Sequence, residues 1–115
     1  MPRFHRMFGL LLALAMVSGA AQANTNGNEL LAWLGGANQE RADALRYIDG
    51  VVDGIAVGSQ TAGKETVCLP AGVNLGQIAD LVAQDIRRTP ATRHLDAYVL
   101  IYASLVNTWP CKPSN

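Results

Sequence analysis

Two cysteines, Cys68 and Cys111, constrain this chain of 115 residues more than any other feature. No other cysteine is present, and each lies near a proline at the border of a helical stretch. The flanking runs are Cys68-Leu69-Pro70-Ala71-Gly72-Val73 and Trp109-Pro110-Cys111. An exported chain with a single cysteine pair is expected to join it. Cys68 precedes the third predicted helix and Cys111 follows the fourth, so an antiparallel pairing of those helices brings the two sulfurs together. Closing such a loop stabilises a chain by about 4 kcal/mol in the chain-entropy description. That is a large part of the roughly 5–15 kcal/mol that holds a small domain together.

Export is read from the first residues. Arg3, His5 and Arg6 give a basic start, Met7 to Val17 is apolar, and Ala21-Gln22-Ala23 forms an A-x-A cleavage site. The apolar stretch is shorter than the about 20 residues that span a bilayer. The expected organisation is a signal peptide over residues 1–23 and one domain over residues 24–115, placed in the periplasm and free of the membrane after cleavage. Nine basic residues balance nine acidic ones in the whole chain, so losing Arg3 and Arg6 leaves a slightly acidic domain. With no basic stripe, nucleic acid is not an expected partner. A domain of this size buries a modest share of its surface, and a disulfide or self-association are two ways to strengthen it.

The spacing predicts four helices and no strand, an all-α fold. The first runs from Asn28, as cap, to about Leu34, with Leu30, Leu31 and Leu34 recurring at helical spacing and Gly35-Gly36 ending it. The second opens at Asn38 as N-cap, with Glu40 in the first turn, and runs to about Gly58 along a face of Leu45, Ile48, Val52 and Ile55. Ser59 to Thr66 reads as a surface loop. The third opens with Asn74 as cap and Gln77 three residues on, while Val73 and Ile78 are placed to form a hydrophobic staple. Its stripe is Ile78, Leu81, Val82 and Ile86, and Arg87 and Arg88 suit the negative end of the helix dipole. Pro90 breaks the pattern, and Ala91 to His94 form a turn. The fourth helix runs from about Leu95 to Thr108 on a stripe of Leu95, Tyr98, Tyr102 and Leu105, widened by Val99, Ile101 and Val106. Pro110 stops it.

Gly50, Gly54 and Gly58 fall on one face of the second helix. Each costs about 1 kcal/mol against alanine in a helix, and close approach of another helix would offset this. Packing within the monomer is the expected arrangement, with a dimer interface as the alternative. Asp43, Asp49 and Asp53 in the same segment read as a solvated face and not as a metal site. Trp33 and Trp109 flank helix ends as expected core anchors.

Groups able to do chemistry are scarce. His94 is the only histidine left after the signal, and both cysteines are spoken for. No H-E-x-x-H, G-x-S-x-G or phosphate-binding glycine loop is present. No enzyme, metal or cofactor is therefore expected. Arg87, Arg88, Arg93 and His94 instead cluster about Pro90, either as helix-capping and solvated side chains or as a basic loop that enters a partner's cleft.

The chain resembles the Rap/Tai family of periplasmic immunity proteins from type VI secretion systems. The resemblance rests on Asn26-Gly27-Asn28-Glu29-Leu30-Leu31 and on Tyr47-Ile48-Asp49-Gly50-Val51-Val52-Asp53-Gly54. It continues through the Cys68 run with Gln77, Pro90 with Arg93, and Trp109-Pro110-Cys111. It implies a small helical domain, often a homodimer, that binds and blocks a peptidoglycan amidase delivered by another cell. Members commonly carry a second cysteine pair, whose places are held here by about Leu34 and Ala44, so apolar packing is expected to replace that bridge. A proline often found at the start of the last helix is replaced by Asp96.

These readings combine into an expected function: a periplasmic inhibitor that occludes the active site of a cell-wall amidase, touching it through Arg87, Arg88, Pro90, Arg93 and His94. The alternative is an acid-stress chaperone of the Hde type, also small, helical and exported, which opens as its carboxylates gain protons.

Overall fold

Capping chemistry marks the start of three of the four helices, and it differs from the expectation at two of those three. The computed structural model describes residues 24–113, so the signal-peptide reading lies outside the described residues. Helix α1 spans Gly27–Leu34 and is capped by Asn26, not Asn28. The Asn26 side chain accepts the Glu29 N–H at 3.0 Å, and the Glu29 carboxylate accepts the Asn26 N–H at 3.2 Å. This reciprocal pairing satisfies two backbone donors that a helix start otherwise leaves open. Asn28 serves elsewhere: its backbone N–H donates to the Arg93 carbonyl at 3.1 Å.

Helix α2 spans Asn38–Ala62, with Ala37 at the cap position. Alanine has no side-chain acceptor, so only half of the pairing exists: Glu40 accepts the Ala37 N–H at 3.1 Å. The helix runs four residues beyond Gly58, into the segment expected to be a loop. Polar residues alone do not end a helix. Thr61 folds its hydroxyl back onto the Val57 carbonyl, and the stop is Gly63, whose φ of 65° is left-handed.

Helix α3, Leu75–Arg88, starts as its sequence requires. Asn74 and Gln77 exchange bonds of 2.9 Å each way, and Val73 packs against the core. Its buried face is Ile78, Ala79, Val82, Ala83 and Ile86. Leu81 is only half-buried, because alanines at 79 and 83 complete the stripe and let neighbouring helices approach closely. A short 3-10 turn, Pro90–Thr92, then leads to helix α4, Ala97–Thr108.

In α4 the buried stripe is rotated from the expected one. Ala97, Ile101, Ser104 and Leu105 face inward, whereas Leu95, Tyr98, Val99 and Tyr102 are exposed. The helix has no charged residue, so its periodicity carries little information about which side is wet. Its rotation is fixed at the N-terminal end, where the Ala97 N–H donates to the Thr25 carbonyl at 2.7 Å and the Gly27 N–H to the Leu95 carbonyl at 3.1 Å. Small residues at 97 and 104 then permit close packing.

All four helices contribute to one core of Leu30, Leu34, Ala44, Ile48, Ile78, Ala79, Val82, Ala83, Ile86, Ala97, Ile101 and Leu105. Leu34 and Ala44, which stand where relatives are expected to carry a second bridge, are both buried in it. Trp33 and Trp109 are half-buried against it. Among the described residues there is no strand, only isolated backbone bridges between Asn26 and Asp96 and between Val67 and Pro110.

The fold is all-α, and Cys68 and Cys111 form the disulfide, their Cα atoms 4.9 Å apart. Two backbone bonds flank it: Cys68 N–H to the Trp109 carbonyl at 2.9 Å and Cys111 N–H to the Thr66 carbonyl at 3.3 Å. The segment before α3 and the segment after α4 are thus held both covalently and by backbone pairing, which makes α3 and α4 a closed hairpin.

Candidate functional site

At the end of the hairpin away from the disulfide, residues 87–96 join α3 to α4. Proline at 90 lacks the N–H that would continue α3, and its ring instead opens the 3-10 turn. Thr89 and Thr92 tie the turn locally, through Thr89 Oγ1 to the Asp85 carbonyl at 3.2 Å and Thr92 Oγ1 to the Thr89 carbonyl at 3.1 Å.

Arg93 anchors it. Its Nε donates to the Ile86 carbonyl at 3.0 Å and a terminal nitrogen donates to the Arg87 carbonyl at 2.7 Å. A fixed planar fork of donors suits two adjacent carbonyls at the negative end of a helix. The cap of α3 is therefore Arg93, not Arg87 or Arg88, whose side chains are exposed. The Arg93 carbonyl in turn accepts from the backbone of Asn28 at 3.1 Å and from its side-chain amide at 3.4 Å.

Gly27 lies directly beneath. A Cβ there would sit 2.9 Å from the Arg93 carbonyl oxygen and 2.5 Å from Leu100 Cδ1, so only glycine fits without displacement. No periodic signal marks this contact; a glycine inside a capping box is the available clue.

The expected contact residues thus divide. Arg93 is half-buried and structural, while Arg87, Arg88, Pro90 and His94 are exposed. The ion pairs among the described residues are Arg41 with Asp80 at 3.8 Å and Arg46 with Asp43 at 2.9 Å, and neither involves this turn. Beside the turn, a groove of about 490 Å³ runs between α3 and α4, with Ile86, Leu100 and Ser104 along it and Arg88, Leu95 and Val99 among its lining residues. What the arrangement offers is a rigid protrusion carrying cationic and imidazole groups next to an apolar groove. Such a surface suits recognition of another macromolecule.

The glycine face departs from its expected packing. A Cβ built at Gly50, Gly54 or Gly58 meets nothing within 4 Å. Among the described residues no helix covers these positions, because α2 turns Ala44 and Ile48 inward and the glycines lie off that side.

Tyr47 sits at the α2–α4 seam, where burial raises its phenol above the ordinary value and a hydrogen bond to the Tyr98 backbone opposes that shift. The one grouping of metal-ligating atoms among the described residues is Glu65 with Cys68 and Cys111. Both of its sulfurs are committed to the disulfide.

No curated protein and no solved structure matches the chain. A family model, Rap1a immunity proteins, matches residues 26–111, from the cap of α1 to the second cysteine. The matched span holds the whole helical core, the disulfide and the anchored turn, and on it the chain belongs to the Rap1a immunity protein family.

Proposed function

We propose that the protein is exported to the periplasm and protects its cell by binding a peptidoglycan amidase, as a homodimeric inhibitor that covers the enzyme's active-site cleft with the turn from Arg87 to His94. The observation that carries this reading is the seating of the turn. Arg93 and the backbone of Gly27 and Asn28 hold it from within, leaving Arg87, Arg88 and His94 exposed. A turn already fixed in shape loses little conformational freedom on binding, which favours affinity. Its basic character in a slightly acidic domain provides steering toward an acidic cleft rim. Inhibition of this kind needs shape and charge but no reacting group, so the protein acts as a binder and not as an enzyme.

The test is to mix the oxidised mature protein with the amidase encoded beside it and measure binding and cell-wall hydrolysis. Charge reversal, Arg87→Glu with Arg88→Glu, is expected to slow association at least about tenfold, with a weaker salt dependence than the parent. Unchanged association by the double variant would rule out this turn as the contact. Full amidase activity in the presence of excess protein would rule out the inhibitory reading itself.

A further inference from the structure

Arg87 and Arg88 are neighbours in sequence, yet they line different grooves. Arg88 belongs to the groove between α3 and α4. Arg87 belongs to a second one, of about 500 Å³, on the flank of α3 that meets α1 and α2. Leu34, Ala79 and Ala83 form its buried floor, and Arg41, Asp80, Gln84 and Arg87 stand around it. Asp80, Gln84 and Arg87 recur at helical spacing on one face of α3. Arg41 meets them from near the start of α2.

Both cations are held where they stand. One terminal nitrogen of Arg41 donates to the Leu34 carbonyl at 3.1 Å, which closes the end of α1. The other lies 3.8 Å from the Asp80 carboxylate, and Asp80 is 79% exposed. That distance is beyond a hydrogen bond, so the pair is weak and yields to a better-placed anion. Arg87 is fixed at its root, because its carbonyl accepts from Arg93 at 2.7 Å. We infer that Arg41, Gln84 and Arg87 form a seat for a carboxylate side chain of the amidase, which makes Arg41 a contact residue beside the turn. The inference rests on the inhibitory reading given above and extends its interface onto α2.

Three observations commit the seat to an acidic side chain of that enzyme. The first is its chemistry: planar guanidinium forks take a carboxylate by paired bonds, and the Gln84 amide adds a neutral donor. The second is its charge. Two cations face one anion here, whereas in the α3–α4 groove Arg88 is balanced by Asp85. An acidic group is therefore drawn to the Arg41 side of the turn and not to the other. The third is continuity. Arg87 belongs both to the turn and to the groove, so a protein lying on the turn reaches the seat without crossing a gap.

Binding kinetics of the oxidised mature protein with the neighbouring amidase test the seat, with circular dichroism to show that each variant is folded. Arg41→Gln is expected to raise the dissociation rate at least about tenfold, and Arg41→Lys to recover part of that loss. Arg41→Gln with Arg87→Gln should do less harm than the product of the two effects, because both residues hold one carboxylate. Arg41→Gln with Arg88→Gln should multiply. Gln84→Glu fills the seat from within and should weaken binding about tenfold, while Asp80→Asn removes the resident competitor and should tighten it about threefold. Gln84 is exposed and has no part in the Leu34 bond, so its variant keeps the test valid if Arg41→Gln fails to fold.

Unchanged binding by both Arg41→Gln and Gln84→Glu would overturn the seat while leaving the turn as the contact. Effects of Arg41→Gln and Arg87→Gln that simply multiply would mean separate contacts and would also overturn it. A parent that does not bind the amidase at all would overturn both readings. Co-sedimentation of the parent with purified cell wall, abolished by Arg41→Gln, would assign the seat to cell-wall carboxylates and overturn the enzyme as its occupant.

Discussion

The Arg93 guanidinium donates to the Ile86 carbonyl oxygen at 3.0 Å, across the break that Pro90 makes between α3 and α4. A second bond, to the Arg87 carbonyl at 2.7 Å, completes the cap. One arginine of the basic cluster thus builds the platform from which the others project. Arg93→Ala is expected to lower stability by about 1.5–3 kcal/mol, the range for bonds to a charged donor. Lysine should restore only part of it, since a single ammonium cannot span both carbonyls in the same way. Arg88→Ala, at an exposed position, should change stability by no more than about 0.5 kcal/mol. Urea unfolding at constant m-value measures all three.

The first helix offers a sharp comparison between two asparagines. Asn26→Ala removes the acceptor of the Glu29 N–H and should cost about 1 kcal/mol. Asn28→Ala loses only a long side-chain bond of 3.4 Å to the Arg93 carbonyl and should cost distinctly less. Equal losses in chemical denaturation would contradict the assignment of Asn26 as the cap.

Gly27 is the tightest backbone contact under the turn. Gly27→Ala forces a methyl toward the Arg93 carbonyl and the Leu100 side chain, and overpacking of this kind costs about 1–3 kcal/mol. Leu100 can move aside, but the carbonyl is held by Asn28. Truncating Leu100 in the same chain is therefore expected to rescue only part of the loss. Thermal unfolding of the single and double variants checks it.

Much of this was legible beforehand, and the reasons differ by element. The α3 start was readable because Asn74 and Gln77 carry the two side-chain acceptors of a capping box at the required spacing, and the same residues form it. The disulfide was readable because two cysteines leave one partner choice. The α4 face was not, because a helix without charges presents no polar side to orient it, and backbone bonds from Thr25 and Gly27 set its rotation. Residues so distant in sequence leave no periodic trace. The role of Arg93 was hidden for the same reason: its type and place fitted a contact residue equally well, and only the positions of the Ile86 and Arg87 carbonyls separate the two roles.

Alkaline titration probes the α2–α4 seam. Burial raises the Tyr47 phenol above its unfolded value near 10, the hydrogen bond to the Tyr98 backbone opposing it. The folded state therefore holds the proton longer than the unfolded chain. The stability this contributes is fully present below pH 10 and is lost as pH rises through the folded value. Tyr47→Phe cannot ionise, so its stability should fall less steeply above pH 10 than that of the parent. Parallel pH profiles of the two proteins would contradict this placement of Tyr47.

Hydrolysis of purified cell wall by the neighbouring amidase, followed as the oxidised protein is titrated in, puts the whole reading at risk in one experiment. Stoichiometric loss of turnover, relieved by reversing the charges at positions 87 and 88, is the expected result. Undiminished turnover at saturating protein would mean that the anchored turn does not guard an amidase.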